Sequence, residues 1–435
     1  LVTGPDRNAM STIHAAQVVL PVDGSPIHDG AVAVSDGRIL AVGTLDDLAE
    51  RFPQAAVEVW AGIMTPGLVN AHTHLQYTSF HTVGAQHHAD YTAWSVRFLE
   101  EYAEQADVDW VAVAHDGVDQ MLRAGITAIG DVVTDFAARD VLWERDLPGV
   151  AYLEVIGVDM DDWTGGLELE LRSTIASAPT SDSTTVGISP HAPYSVDGPV
   201  LTEVARLADE LGVRTHIHVA ESDGEDEFYR SGTGPLAERV RVVATRRVRP
   251  LDAGGLGVGA TEYLRDLGAS GPTCHFAHGV YLGATGRAIA ASEGSVVALC
   301  PRSNQVVGVD GPPVADYLRE HVPFAVGTDS LSSVGSLDLM ADVVELRRLA
   351  IDDCYHDDDL DSRLLHAATM GGATALGLDD QLGSLTVGKR CDFAIFDPGE
   401  HEQDPVTQVV TSGPGHCLAT VVAGVTRWRR ATSTT

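Results

Sequence analysis

Eight short apolar runs punctuate the middle of the chain: GLVNAHTHL, GITAIGDVV, GVAYLEVIG, TTVGISPHAPY, VRTHIHVAES, TCHFAHGVYL, SVVALCPRSN and PFAVGTDSLS. Each has the length and β-branched content of a strand buried on both faces. Between them lie stretches with apolar residues at helical spacing, such as LTEVARLADELG and SLDLMADVVELRRLA. Strand–helix alternation builds a parallel sheet, and eight repeats of it close into a (β/α)8 TIM barrel. The two ends of the chain differ. From Leu1 to about Thr65 short alternating runs such as AVAVSDGRILAVG are bounded by Gly, Asp and Pro, a hairpin texture that returns in GSLTVGKRCDFAIFD and CLATVVAGVTRWRR. The expected organisation is a small β-sandwich domain contributed by residues 1–65 and 381–435, beside a barrel at 66–380. Met10 reads as the natural start, with Leu1–Ala9 preceding it and Ala431–Thr435 as a frayed tail.

Polar residues crowd the C-terminal ends of nearly all eight runs, which is the catalytic face of such a barrel. His72 and His74 sit two apart at the end of the first run, and strand alternation points both imidazoles the same way. Two neutral imidazoles on one face make a grip for a divalent metal. Alone, HxH is a weak signal, because a satisfied core histidine is the commoner meaning. Here further strand ends carry His216 and His218 followed by Glu221, His275 and His278, and Asp329 within VGTDS. Chance placement at so many ends of one barrel is improbable, so a metal centre is expected.

Charge narrows the partners. Acidic residues number 62 against 28 basic ones, a formal net charge of −34. Such a surface repels nucleic acid and anionic membranes, and its plain meaning is a solvated face. No apolar run reaches the roughly 18 residues of a transmembrane helix. The N-terminal residues also lack the basic and then apolar blocks of a signal peptide. A cytoplasmic protein acting on a small molecule is therefore expected, and a homodimer is compatible with it. The cysteines (Cys274, Cys300, Cys354, Cys391 and Cys417) form no CxxC pair and read as reduced, mostly packed thiols. Lysine is represented by Lys389 alone; arginine supplies the remaining positive charge.

The segments PGLVNAHTHL, HIHVAES, HFAHGV, GTDS, ATMGGATALGL and LGSLTVGKRCDFAIFD resemble the amidohydrolase superfamily over nearly the whole chain. Within it they look like the adenosine/cytosine-deaminase-like and chlorohydrolase-like branch. The resemblance implies that His72, His74, His218 and Asp329 hold one divalent metal, Zn2+ in the first place and Fe2+ in the second. Its HxxE spacing makes His218 the ligand and Glu221 the acid/base, with His216 packing behind them. Many members bridge two metals with a carboxylated lysine on the fourth strand. Here that strand ends in SPHAPYSV with His191, and Lys389 lies beyond the barrel, so a single metal is implied. In that scheme Asp329 accepts a proton from the attacking water, Glu221 protonates a ring nitrogen and His278 holds or polarises the water. Such a set suits the loss of ammonia from an aminated aromatic ring, a hydrolysis of the C–N bond of a cyclic amidine. The HxE…PCxxC pattern of the other nucleobase deaminases is absent.

For the substrate, SPHAPYSV, the GTGPL run at Gly232–Leu236, CPRSN and DSLSSVGSLDLM look most like the aminodeoxyfutalosine deaminases. That likeness implies removal of the 6-amino group of an adenine nucleoside on a menaquinone pathway. S-adenosylhomocysteine or methylthioadenosine deaminase, guanine deaminase and triazine chlorohydrolase are the alternatives. A barrel without catalysis is a remote one, since no ligand or acid/base is missing. Arg302 departs from the small neutral residue expected in methylthioadenosine-type enzymes; its planar fork suits a carboxylate such as a benzoate, against pairing with an acidic residue at the rim. His191 is expected to bind substrate, against a hydrogen-bonded structural role. Trp94 could stack on a flat ring or pack in the core. Gln76, with Tyr77, either lines the pocket or only shapes a loop. His81, His87 and His88 read as solvated loop residues, and His115 and His366 as helical ones.

Overall fold

All eight runs are strands of one sheet in the computed structural model, which describes residues 11–105, 107–243, 248–399 and 404–431. The first to eighth barrel strands are Leu68–Thr73, Ile126–Val133, Gly149–Val155, Thr184–Pro190, Thr215–Val219, Cys274–His278, Val296–Leu299 and Phe324–Val326. Each pairs in parallel with the next. Nearly all of their residues are buried, because side chains fill the lumen on one face and helices cover the other. The expectations for Leu1–Met10 and for the last four residues lie outside the described residues.

The helices fall where the apolar spacing puts them. Gly198–Leu211 buries Val200, Leu201, Val204, Leu207 and Ala208, one stripe at intervals of three and four. Asp197 caps its start with Pro199 in the first turn, and Gly212 ends it in the left-handed conformation at φ 66°. Leu339–Asp352 likewise starts at a capping aspartate, Asp338. No described helix is long and apolar enough to cross a membrane. The five cysteines are free, and only Cys354 is exposed.

The two ends of the chain pair with each other. Ala56–Pro66 lies at the middle of a second eight-stranded sheet, parallel to Thr12–Val19 on one side and antiparallel to Phe393–Phe396 on the other. Cys417–Val422 and Val425–Arg429 extend it on the C-terminal side. Trp60, Met64, Phe393 and Ile395 pack in one buried cluster, so residues from both ends share a core.

Closure of the barrel assembles part of the site. At the seam between the first and eighth strands, Asp329 N–H donates to the carbonyl of His72 at 3.0 Å. The buried amide of Asn70 clamps Thr328, donating to its Oγ1 at 2.8 Å and accepting from its N–H at 3.1 Å. Thr73 Oγ1 donates to the carbonyl of Asp329 at 2.9 Å. Gly327 permits this approach, since a Cβ there would lie 2.9 Å from that of His72. The bonds that close the barrel thus bring His72 and Asp329 side by side.

Candidate active site

His72 and His74 project from the end of the first strand, His218 from the fifth, His278 from the sixth, and Asp329 follows the eighth. Their side chains meet. Asp329 Oδ1 lies 3.6 Å from His72 Nε2 and 3.8 Å from His74 Nε2, while His74 Nε2 and His218 Nε2 stand 3.3 Å apart. Ligand atoms of His72, His74 and Asp329 lie within 4.8 Å of one another, as do those of His72, His218 and His278, and of Glu221, His278 and Asp329. Both ring nitrogens of His72 and Nδ1 of His74 are buried with no hydrogen-bond partner. Each neutral imidazole carries one bare lone pair, and such buried acceptors gathered beside a carboxylate are what a cation satisfies, so the residues present fit a divalent metal.

The surroundings fix these groups. His218 Nδ1 bonds the carbonyl of His191 at 2.8 Å, which leaves Nε2 as the free donor atom. Asp329 Oδ2 accepts from Ser303 Oγ at 2.8 Å and Ser333 Oγ at 2.7 Å, and Oδ1 accepts from Ser330 N–H at 2.7 Å. Glu225 accepts from the N–H groups of Ala220, Glu221 and Ser222 at 2.8, 2.7 and 3.2 Å, pinning the turn that carries Glu221. Ala220 (φ 54°), His278 (φ 74°) and Asp329 (φ 59°) are all left-handed. Non-glycine residues held there store strain of about 1–3 kcal/mol each, and the three cluster on this one barrel face.

Burial sets the charges. It pushes His74 down to about 3, with His72 adding to the effect, and His278 likewise to about 3. Burial, then His191, holds His218 well below the usual imidazole range. These imidazoles are therefore neutral electron-pair donors near pH 7. Burial opposes ionisation of Asp329, but the adjacent imidazole of His72, then those of His74 and His278, outweigh it and keep its carboxyl well below the ordinary range. Glu221 shows the reverse. Burial, then the charges of Asp329 and Glu225, pushes it well above the usual carboxylate range, which favours its protonated form. His278 Nε2 lies 3.7 Å from Glu221 Oε1.

A cavity of about 350 Å³ opens over this cluster. His74, His218, Glu221, His278 and Asp329 all line it, so carboxyl and imidazole groups share one floor. The walls are largely aromatic and aliphatic, including Tyr91, Trp94, Phe98, Val158, Leu236 and Val240. His191 also lines it, half-buried, with Nδ1 against Ser195 Oγ at 2.8 Å. Trp94 does so too, its ring fixed by Nε1 donating to the Ser332 carbonyl at 2.8 Å. His216 and His275 do not line it. His216 stacks on His72 at 4.8 Å and bonds Ser189 Oγ at 3.1 Å, and His275 bonds the Ala71 carbonyl at 3.0 Å.

Two expectations are corrected. Arg302 does not line the pocket. It is drawn to Asp342 Oδ2 at 3.3 Å and Ser336 Oγ at 2.9 Å, with the carbonyls of Ser336 and Asp338 also accepting from it. Asp342 is fully buried, and an arginine is the partner such a carboxylate requires. Gln76 is also absent from the lining. Its Oε1 accepts the N–H groups of Thr134 and Asp135 at 3.0 and 3.1 Å, holding the loop after the second strand. Tyr77 does line the pocket and donates to Thr134 Oγ1 at 2.9 Å. Tyr91, Glu154, Tyr194 and Arg239 were not singled out by the sequence, yet line the cavity. Glu154 and Tyr194 lie within the quoted runs GVAYLEVIG and SPHAPYSV, whereas Tyr91 and Arg239 belong to helices, where spacing puts Tyr91, Trp94, Ser95 and Phe98 on one face.

Residues 63–426 match the amidohydrolase family, and residues 30–55 match an imidazolonepropionase-like composite domain of bacteria. The chain is 28% identical over 419 residues to a 5-methylthioadenosine/S-adenosylhomocysteine deaminase of Teredinibacter turnerae, covering 91% of this chain and 87% of that protein. It is 28% identical over 362 residues to an aminodeoxyfutalosine deaminase of Deinococcus radiodurans, covering 80% and 81%. Among solved structures, a zinc-bound adenosine deaminase from Xanthomonas campestris superposes with a TM-score of 0.79 at 24% identity, covering 96% of this chain and 93% of that one. Helicobacter pylori aminofutalosine deaminase superposes with a TM-score of 0.81 at 19% identity, covering 95% and 99%. These superpositions establish the shared fold.

Proposed function

The chain belongs to the amidohydrolase family, and from that premise we propose that it is a metal-dependent aminohydrolase releasing ammonia from the 6-amino position of an adenine nucleoside. One observation carries the reading: the buried Glu221 and the His/Asp cluster line the same cavity, beneath walls suited to a flat ring. His72, His74, His218 and Asp329 would hold one metal. Zinc suits this His3Asp set, with Fe2+ second. When bound, the metal supplies the Lewis acidity that brings the pKa of a water toward about 7.

The chain's own groups supply the rest. Glu221 holds a proton for a ring nitrogen, which makes the adjacent ring carbon electrophilic. His278, neutral and 3.7 Å from Glu221, is placed to hold the attacking water. Asp329, its Oδ2 held by two serine hydroxyls and its Oδ1 by Ser330 N–H, is placed to take up the water's proton. His191 and the ring of Trp94 bind and orient the base. The apolar walls exclude water and leave room for a bulky group on the 5′ side of the ribose.

Aminodeoxyfutalosine is the substrate we propose, which would place the reaction on a menaquinone pathway. A relative that covers most of this chain carries that activity in its name, and the aromatic walls suit an aryl group. Methylthioadenosine or S-adenosylhomocysteine is the second reading. It is favoured by the Teredinibacter relative and by the departure of Arg302 from the pocket. Initial rates of ammonia release from these nucleosides and adenosine separate them. The first reading requires the highest kcat/KM on aminodeoxyfutalosine, and a higher value on methylthioadenosine replaces it with the second.

A further inference from the structure

With Arg302 held by Asp342, the pocket still contains one arginine among its described lining residues, Arg239. It belongs to the helix Gly234–Val243, which with Tyr91–Glu104 forms a wall of the cavity. The walls near it are apolar: Trp94, Phe98 and Leu99 from one helix, Leu236 and Val240 from the other. Its guanidinium is half-buried, stands 5.9 Å from the centre of the Tyr91 ring and donates to Ser95 Oγ. No carboxylate among the described residues pairs with it. A guanidinium has five N–H donors, and one hydroxyl with one ring face leaves several unused. In a chain with a net charge of −34, carboxylates to satisfy it are abundant, yet this wall supplies none at pairing distance.

We infer that Arg239 reads a carboxylate carried on the 5′ side of the substrate, and so selects nucleosides whose apolar arm ends in that group. The inference rests on the proposed deaminase reading and deepens it. The planar fork accepts a carboxylate through two parallel N–H···O bonds, and the surrounding apolar walls strengthen them by excluding water. An anion entering against the field of the whole chain needs such a local charge.

The test uses the zinc-loaded full chain and three ligands: a 5′-(carboxyphenyl)thioadenosine, its carboxamide counterpart, and methylthioadenosine. The parent should prefer the carboxylate to the carboxamide. In Arg239→Met that preference should fall about 10- to 100-fold, mainly through KM, while methylthioadenosine changes less than about threefold. Arg239→Lys should keep part of the preference and serves if the methionine variant does not fold. An unchanged preference in the variants, or equal losses on all three ligands, would overturn the inference. If the parent releases ammonia from none of them, the deaminase reading has failed separately. The same three ligands are then compared by equilibrium binding, where a carboxylate preference lost in the variants still supports Arg239, and its absence or persistence rejects it.

Discussion

His218 donates its Nδ1 proton to the backbone carbonyl of His191 at 2.8 Å. A carbonyl only accepts, so this bond fixes the tautomer and leaves Nε2 a bare lone pair, 3.3 Å from Nε2 of His74. A pairing between the fourth and fifth strands thus decides which atom of His218 is offered to a metal. The same logic runs through the site, since the serines around Asp329 and the amides around Glu225 each settle what a neighbouring group can do.

Glu221 lines the pocket and is buried among groups that favour its protonated form, but is outside the proposed ligand set. Glu221→Gln preserves its shape and removes that proton. Metal content should be unchanged, while kcat falls by about 10²–10⁴-fold, the usual worth of general acid/base catalysis. A variant within tenfold of the parent would mean that the proton comes from another group.

Ser303 and Ser333 both donate to Asp329 Oδ2, at 2.8 and 2.7 Å. Removing both hydroxyls frees the carboxylate to rotate away from the histidines. Metal affinity of the double alanine variant, measured by competition with a chelator, should fall about 10–100-fold with the fold intact. Unchanged affinity would show that the seam bonds alone hold Asp329.

Arg302→Met should act on stability and not on specificity. It removes the charged partner of the buried Asp342, whose pKa burial already raises to about 7 despite Arg302. Urea unfolding should show a loss of about 1–3 kcal/mol. The ratio of kcat/KM between carboxylate-bearing and neutral nucleosides should stay that of the parent. A selective loss on the charged substrate would return Arg302 to the binding site.

Asp131 gives a pH dependence with a definite sign. Burial raises its pKa from 3.8 to about 8, against the hydrogen bond from Leu75 N–H at 2.8 Å. Its folded-state pKa is the higher one. The associated stability is therefore complete below the unfolded value and is lost as pH rises toward about 8, at up to roughly 1.4 kcal/mol per unit. The substitution Asp131→Asn keeps an oxygen acceptor for Leu75 N–H and does not titrate. The Tm of this variant relative to the parent should therefore rise between about pH 5.5 and pH 8. A constant difference would mean that Asp131 ionises as an ordinary carboxylate.

The barrel was legible because eight apolar runs with intervening helical stripes have few other ways to be buried. The pairing of the chain's two ends was legible from their shared hairpin texture. Strand alternation and family motifs brought together His72, His74, His218, Glu221, His278 and Asp329, whose side chains cluster at one end of the barrel, all but His72 lining the cavity. Direction was harder to read. CPRSN puts Arg302 at the end of the seventh strand, but its side chain follows the buried Asp342, 40 positions later. Arg239 lies just beyond the GTGPL run, in a helix whose spacing does not mark it out, and only the tertiary packing of two helices brings it over the site. The left-handed Ala220, His278 and Asp329 leave no trace in composition, because the surrounding fold imposes that backbone.

Hydrolysis of an adenine nucleoside at a single-metal site is open to a zinc titration of the chelated protein. Ammonia release from a panel holding aminodeoxyfutalosine, methylthioadenosine, S-adenosylhomocysteine and adenosine is followed as zinc is added. The account predicts activity that rises linearly and stops at one zinc per chain, with ammonia and the 6-oxo nucleoside formed in equal amounts. Activity that climbs to two zincs per chain, or no ammonia from any of these nucleosides at full loading, would contradict it.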